Sequence, residues 1–151
     1  MKLDVYIDGA CEPFNPGGTA TYGLAVFDET GKELFSKCAV VGTGAGMSNN
    51  VAEYSGLLAF LTWYLRQKDR LGLQDALIHS DSQLLIRQMI GTWKVKRGWY
   101  VSYYQTCQQL IRDHHIPVTF QWIPREQNAV ADRLSKKALL EAGVKLRIQP
   151  I

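Results

Sequence analysis

Leu3, Val5 and Ile7 alternate with Asp4, Tyr6 and Asp8, the two-residue period of a strand with one buried face. Gly9 closes the alternation, and Asn15-Pro16-Gly17-Gly18 keeps the chain that follows in turns. The stretch Val5-Tyr6-Ile7-Asp8-Gly9-Ala10-Cys11 therefore sets an acidic side chain at the carboxyl end of a central strand, beside a glycine-rich loop. In open α/β sheets that edge is where ligands bind. One aspartate there decides little. What matters is whether other carboxylates return to the same edge.

Strand one covers about Lys2 to Asp8, and two more extended runs precede any helix. Thr21–Phe27 is apolar, Asp28-Glu29-Thr30-Gly31-Lys32 is a turn, and a third strand is expected over Glu33–Val41. These three form an antiparallel meander. After the flexible Gly42–Gly46 crossing, Ser48 or Asn49 caps a helix. Its Val51, Tyr54, Leu58, Leu61 and Leu65 step by three and four, and it ends near Arg70 with Gly72 beyond. Ala76–Ser80 is a short apolar strand reached through that helix, hence parallel to strand one. Ser80 and Ser82 offer caps for a short helix stopped by Gly91, and a helix over Val101–Asp113 follows the basic, aromatic stretch Thr92–Tyr104. Ile116–Ile123 makes a fifth strand ended by Pro124, Asn128 caps the last helix and Gly143 stops it. The order βββαβααβα predicts an α/β fold. It is a mixed five-stranded sheet, three antiparallel strands then two parallel, with helices on both faces.

A chain of 151 residues fits one domain with a sizeable core. No apolar run approaches the ~20 residues of a membrane span, and the start reads as a strand rather than a secretory leader. Cys11, Cys38 and Cys107 are odd in number and lack metal spacing, so reduced thiols and a cytoplasmic setting are expected. The net charge of +3 neither requires nor opposes a nucleic-acid partner.

Three further acids sit in recognisable settings. Glu53 lies in Asn49-Asn50-Val51-Ala52-Glu53-Tyr54-Ser55-Gly56, at the opening of the long helix. Asp81 lies in Asp81-Ser82-Gln83-Leu84, where an apolar strand meets a helix. Asp132 lies in the first turn of the last helix, after Trp122-Ile123-Pro124-Arg125-Glu126. Together with Asp8-Gly9-Ala10-Cys11-Glu12-Pro13, these motifs resemble type 1 ribonuclease H, in the archaeal and bacterial variety that lacks a loop histidine. They stand in the family's order and span nearly the whole chain. Any one alone reads as a cap or a solvated face; the four in order do not.

The resemblance implies a ribonuclease H-like fold over residues 1–143, with 144–151 as a tail packed on the same domain, extended and stabilising; a disordered end is the alternative. It also implies an endonuclease that cuts the RNA strand of RNA–DNA hybrids, leaving 5′-phosphate and 3′-hydroxyl ends. Two Mg²⁺ ions, with Mn²⁺ as substitute, would serve the chemistry: Mg²⁺ prefers oxygen ligands and keeps several waters. Asp8 would bridge both ions, Glu53 and Asp81 would each support the nucleophile or the leaving-group side, and Asp132 would complete the second site. Arg125 and Glu126 occupy the place of the absent histidine, as phosphate anchor and proton shuttle or as a surface ion pair.

Backbone groups of Gly9, Ala10 and Cys11, with the Asn50 and Gln83 amides, stand where the family reads 2′-hydroxyls. Asn49 shares capping and contact with Asn50, and Asn15 with Ser48 resembles a pocket for a DNA phosphate. In place of the family's long basic insertion there is Trp93-Lys94-Val95-Lys96-Arg97-Gly98-Trp99-Tyr100. There Lys94 and Lys96 would neutralise phosphates and Trp99 would stack, the alternative being a solvated turn. The implied partner is the hybrid, with no membrane and no obligate protein partner, acting as a monomer. A broader nuclease that also cuts double-stranded RNA, and a non-cutting hybrid-binding module, are the competing functions.

Overall fold

The computed structural model describes all 151 residues. A meander of Leu3–Glu12 (β1), Thr19–Asp28 (β2) and Glu33–Thr43 (β3) leads into Asn49–Leu71 (α1) and Ala76–Ser80 (β4). Gln83–Ile90 (α2), Val101–Asp113 (α3), Val118–Trp122 (β5) and Ala129–Glu141 (α4) complete the chain. The sheet runs β3-β2-β1-β4-β5, antiparallel on the β3 side and parallel on the β5 side. This is the mixed sheet expected. β5 is shorter than its alternation suggested because β4 offers it only the partners Ala76 to Ser80.

Gly9 does not end the first strand. β1 stays paired with β2 from Leu3↔Asp28 to Glu12↔Thr19, with Gly9 opposite Tyr22. The reason is long-range: α1 crosses directly over Gly9, where a Cβ would stand 2.5 Å from Glu53 N and 2.8 Å from the Ala52 carbonyl carbon. A residue that locally reads as a breaker is here a close-packing position. The parallel ladder with β4 does stop early, at Ile7↔Ser80. Asp8 is thus mid-strand toward β2 and the first residue beyond the ladder toward β4, where the two strands part.

The pleat sorts the two faces. Ile7, opposite Leu24, faces α1, and a Cβ on Gly56 would press on its Cγ2. Asp8, opposite Gly23, faces α4, whose Ala131 carbonyl a Cβ on Gly23 would strike. The main core lies between the sheet and α1, with α2 and α3 closing it; Val5, Leu24, Tyr54, Leu57 and Phe60 are fully buried there. Each such side chain contributes about 1.5–3 kcal/mol by leaving water. Leu58 and Leu65, expected on the buried face of α1, are half-buried, while Leu57, Phe60 and Tyr64 are inside. The helix packs on α3 as well as on the sheet, which widens its buried arc.

The caps are short-range and fall as expected. Ser48 Oγ accepts from Val51 N–H at 3.2 Å, and Ser82 Oγ from Leu85 N–H at 3.2 Å. No helix is long and apolar enough to cross a membrane.

Candidate active site

Three elements bring carboxylates to the point where β1 and β4 part. Asp8 comes from β1, Glu53 from the second turn of α1, and Asp81 from the link between β4 and α2. One oxygen of each lies within 4.8 Å of the others. Asp8 and Glu53 are buried, and Asp81 is half-buried. Burial, then the charge of Asp81, holds the Asp8 carboxyl well above the usual carboxylate range, with Lys136 pulling it partly back. Glu53 is held well above its own range by burial and then by the charge of Asp8. Glu53 Oε2 is buried with no hydrogen-bond partner. Orphaned oxygen and crowded like charges are both relieved by a hard divalent cation, so the donor set fits Mg²⁺.

The sign of that strain is testable. An acid whose folded-state affinity for protons is raised stabilises the fold below its unfolded pKa, about 4, and loses that contribution as pH rises. A divalent cation replaces the protons. Thermal unfolding is therefore expected to show a larger Mg²⁺-induced rise in melting temperature at about pH 8 than at about pH 5. A melting point indifferent to Mg²⁺ at both would remove the metal reading of these three acids.

Asp132 lines the same pocket but stands outside the close triad. It is 1% exposed. Its Oδ1 lies 3.5 Å from Arg125 and 3.7 Å from Lys136, and its Oδ2 accepts the Ile151 N–H at 3.0 Å. Lys136 is itself buried, an unusual place for a lysine unless it is paired. It is the cation through which α4 balances part of the cluster.

Gly9, Ala10, Cys11, Asn15, Asn49, Asn50 and Gln83 all line this pocket, as does Arg125. Glu126, next to Arg125, is exposed and does not. Ser48 is spent on its cap. Asn15 Oδ1 accepts the Asn49 N–H at 3.1 Å, tying the loop after β1 to the start of α1. Lys94 and Lys96 border a separate hollow with Trp93 and Tyr100, and Trp99 is 54% exposed outside it. Gln88, held by Tyr54 OH at 2.7 Å and donating to Tyr100 OH at 3.0 Å, anchors that segment to the core.

Three site residues escaped sequence reasoning. Asn128 makes no side-chain cap; its Nδ2 donates to Ile7 O at 2.8 Å and approaches Asp81 Oδ1 at 3.5 Å, tying α4 to β1 beside the triad. Lys136 stands four residues after Asp132, a spacing that was visible in the sequence. Arg147 lines the pocket from the far end of the chain, and no local signal marks it.

Residues 7–138 match the family model described as Reverse transcriptase-like. The chain is 36% identical over 141 residues to the Bifunctional protein Rv2228c of Mycobacterium tuberculosis, covering 92% of this chain but only 36% of that protein. It thus spans about a third of that relative's length. The solved N-terminal RNase H domain of Rv2228c superposes with a TM-score of 0.80 at 32% identity, covering 94% of this chain and 96% of the domain. LC11-RNase H1, solved in complex with an RNA/DNA hybrid, superposes with a TM-score of 0.83 at 31% identity over 93% of this chain and 98% of its own.

Proposed function

Because the chain belongs to the type 1 ribonuclease H family, we propose that it is an endonuclease that hydrolyses the RNA strand of RNA–DNA hybrids. The observation that carries the reading is the convergence of Asp8, Glu53 and Asp81 within 4.8 Å, in a pocket rimmed by backbone and amide donors. When bound there, two Mg²⁺ or Mn²⁺ ions would activate the attacking water and stabilise the charge on the departing 3′ oxygen, leaving 5′-phosphate and 3′-hydroxyl ends. Asp8, Glu53 and Asp81 would hold them. Asp132 would join them by exchanging its contacts to Arg125, Lys136 and Ile151.

The remaining work is recognition by the chain's own groups. The Gly9 backbone lines the pocket beside Asp8; its missing Cβ makes room for α1, which brings Glu53 to the site, and not for a sugar–phosphate chain. The Ala10 and Cys11 backbone, with the Asn50 and Gln83 amides, would bond, across a shallow minor groove, the 2′-hydroxyls that a DNA strand lacks. The Asn15 amide, beside Ser48 and Asn49, would hold a DNA phosphate. Lys94, Lys96 and Trp99 would extend the grip on the DNA strand, with Lys94 and Lys96 meeting phosphates. Arg125, at the pocket rim, would steady the RNA phosphate; Glu126 stands outside the pocket and takes a surface role. We place this activity in a cytoplasmic monomer, consistent with three free cysteines.

Cleavage of a labelled strand in RNA–DNA, RNA–RNA and DNA–DNA duplexes, each with Mg²⁺, Mn²⁺ or EDTA, tests this reading. Cutting confined to the RNA of the hybrid, and lost with EDTA, is the expected result. Cutting of RNA–RNA as well would widen the substrate to double-stranded RNA. Binding without cutting under either metal would leave a hybrid-binding module.

A further inference from the structure

We propose that Arg147, fixed by the buried carboxylate of Glu12, is a substrate-positioning residue that grips a phosphate of the RNA–DNA hybrid at the lip of the catalytic pocket. The inference rests on the hybrid-cleaving reading above.

Glu12 closes β1 and is 2% exposed. A carboxylate there needs a partner, and the partner comes from the other end of the chain. Its Oε2 accepts the Arg147 backbone N–H at 2.8 Å and Arg147 Nε–H at 2.9 Å. A third bond runs from Arg147 Nη2 to Cys11 O at 2.9 Å. One residue earlier, Leu146 is buried against Ala10 and Leu139. The guanidinium is thus held on one edge by the very strand segment whose backbone lines the pocket.

What is held is still half free. The Arg147 side chain is 49% exposed, and it lines the same pocket as Asp8, Glu53 and Asp81. Only two of the three bonds to the protein use the guanidinium, so most of the N–H donors of its planar five-donor fork remain for other partners. Of the other cations in that pocket, Lys136 is buried on Asp132, and Arg125 faces Asp132 and the Gln149 carbonyl. Arg147 is thus the one cation of this pocket that is tied to the Ala10–Glu12 segment and not to Asp132. An arginine pre-oriented by a carboxylate loses little freedom when it meets a phosphate, and its fork suits phosphate geometry. Glu12 acts through Arg147 as its positioning residue.

The competing explanation is a staple that merely ties residues 144–151 to β1. Hybrid affinity and its salt dependence separate the two. Binding would be measured in an Asp8→Asn background, so that the hybrid stays intact, over a range of NaCl. Arg147→Met, which keeps the apolar stem, is expected to weaken hybrid binding about tenfold and to lower the log–log salt slope by about one. Arg147→Lys should keep the slope and lose part of the affinity. Glu12→Gln, which leaves the guanidinium in place but loosely held, should weaken binding with little change of slope. Affinity and slope equal to the parent's in Arg147→Met, with only a lower melting temperature, would reduce the pair to a staple and overturn the proposal. Should Arg147→Met fail to fold, an unchanged affinity in both Arg147→Lys and Glu12→Gln overturns it as well. A parent that binds hybrid no better than duplex DNA overturns the hybrid-cleaving reading, and this inference with it.

Discussion

Asp8→Asn is expected to lower hybrid cleavage by about 10³-fold or more while raising the melting temperature of the metal-free protein. The two effects have one cause. Asp8 is buried, and one of its oxygens lies within 4.8 Å of both Glu53 and Asp81. A carboxylate that helps concentrate positive charge on the reacting phosphate is worth several kcal/mol in the transition state, and each 1.4 kcal/mol or so is tenfold in rate. Without a cation the same charge is a burden. The repulsion that raises Glu53 comes first from Asp8 once burial is set aside, and asparagine removes it at nearly constant shape. Activity and thermal unfolding on the same preparation decide the matter. Loss of cleavage with a higher melting point supports the reading. A variant that loses both would have lost its fold at the site, and a variant that still cuts would exclude Asp8 from the chemistry. The Mg²⁺-induced rise in melting temperature should shrink in the same variant, because one of three donors is gone.

How far the site could be seen in the sequence depends on the range of the interaction that builds each part. Ser48 and Ser82 cap through bonds three residues long, and their motifs announce them. Asp8, Glu53 and Asp81 are legible through the short motifs that carry them: Asp8 on a local strand alternation, Glu53 in the early turns of a helix, and Asp81 where β4 gives way to α2. The role of Gly9 is set by α1, some forty residues on, and a glycine under a crossing helix has the same local signature as one that breaks a strand. Asn128 stands at the cap position its residue type suggests, but its amide makes no capping bond and reaches back to Ile7, 121 residues away. The Glu12–Arg147 pair spans 135 residues and left no trace in either flank. Lys136 is the exception. The four-residue step from Asp132 was there to be read, but nothing local told that both ends of the pair would be buried.

Gly9→Ala is the substitution in which fold and chemistry fail together. The added methyl would lie 2.5 Å from Glu53 N, 2.8 Å from the Ala52 carbonyl carbon and 2.9 Å from Ala52 Cβ. Two of the three are backbone atoms of a helix that packs on α3 as well as on the sheet, so they cannot swing aside as a side-chain end would. The first turns of α1 must lift from β1, at a cost of about 1–3 kcal/mol, or roughly 2–4 °C of melting temperature per kcal/mol for a chain of this size. Glu53 lifts with them. A displacement near 1 Å of a group beside the reacting centre costs on the order of 10²-fold in rate, so cleavage should fall by more than the loss of folded protein explains. Gly56→Ala separates the two effects. Its methyl would press on Ile7 Cγ2, a side-chain atom, one turn further along the same helix. Both variants should melt earlier. Only Gly9→Ala should also lose much of the Mg²⁺-induced stabilisation, because only there is a donor pulled out of the triad. Equal Mg²⁺ responses in the two variants would mean that α1 absorbs the methyl without moving Glu53, and that the close approach at Gly9 serves packing alone.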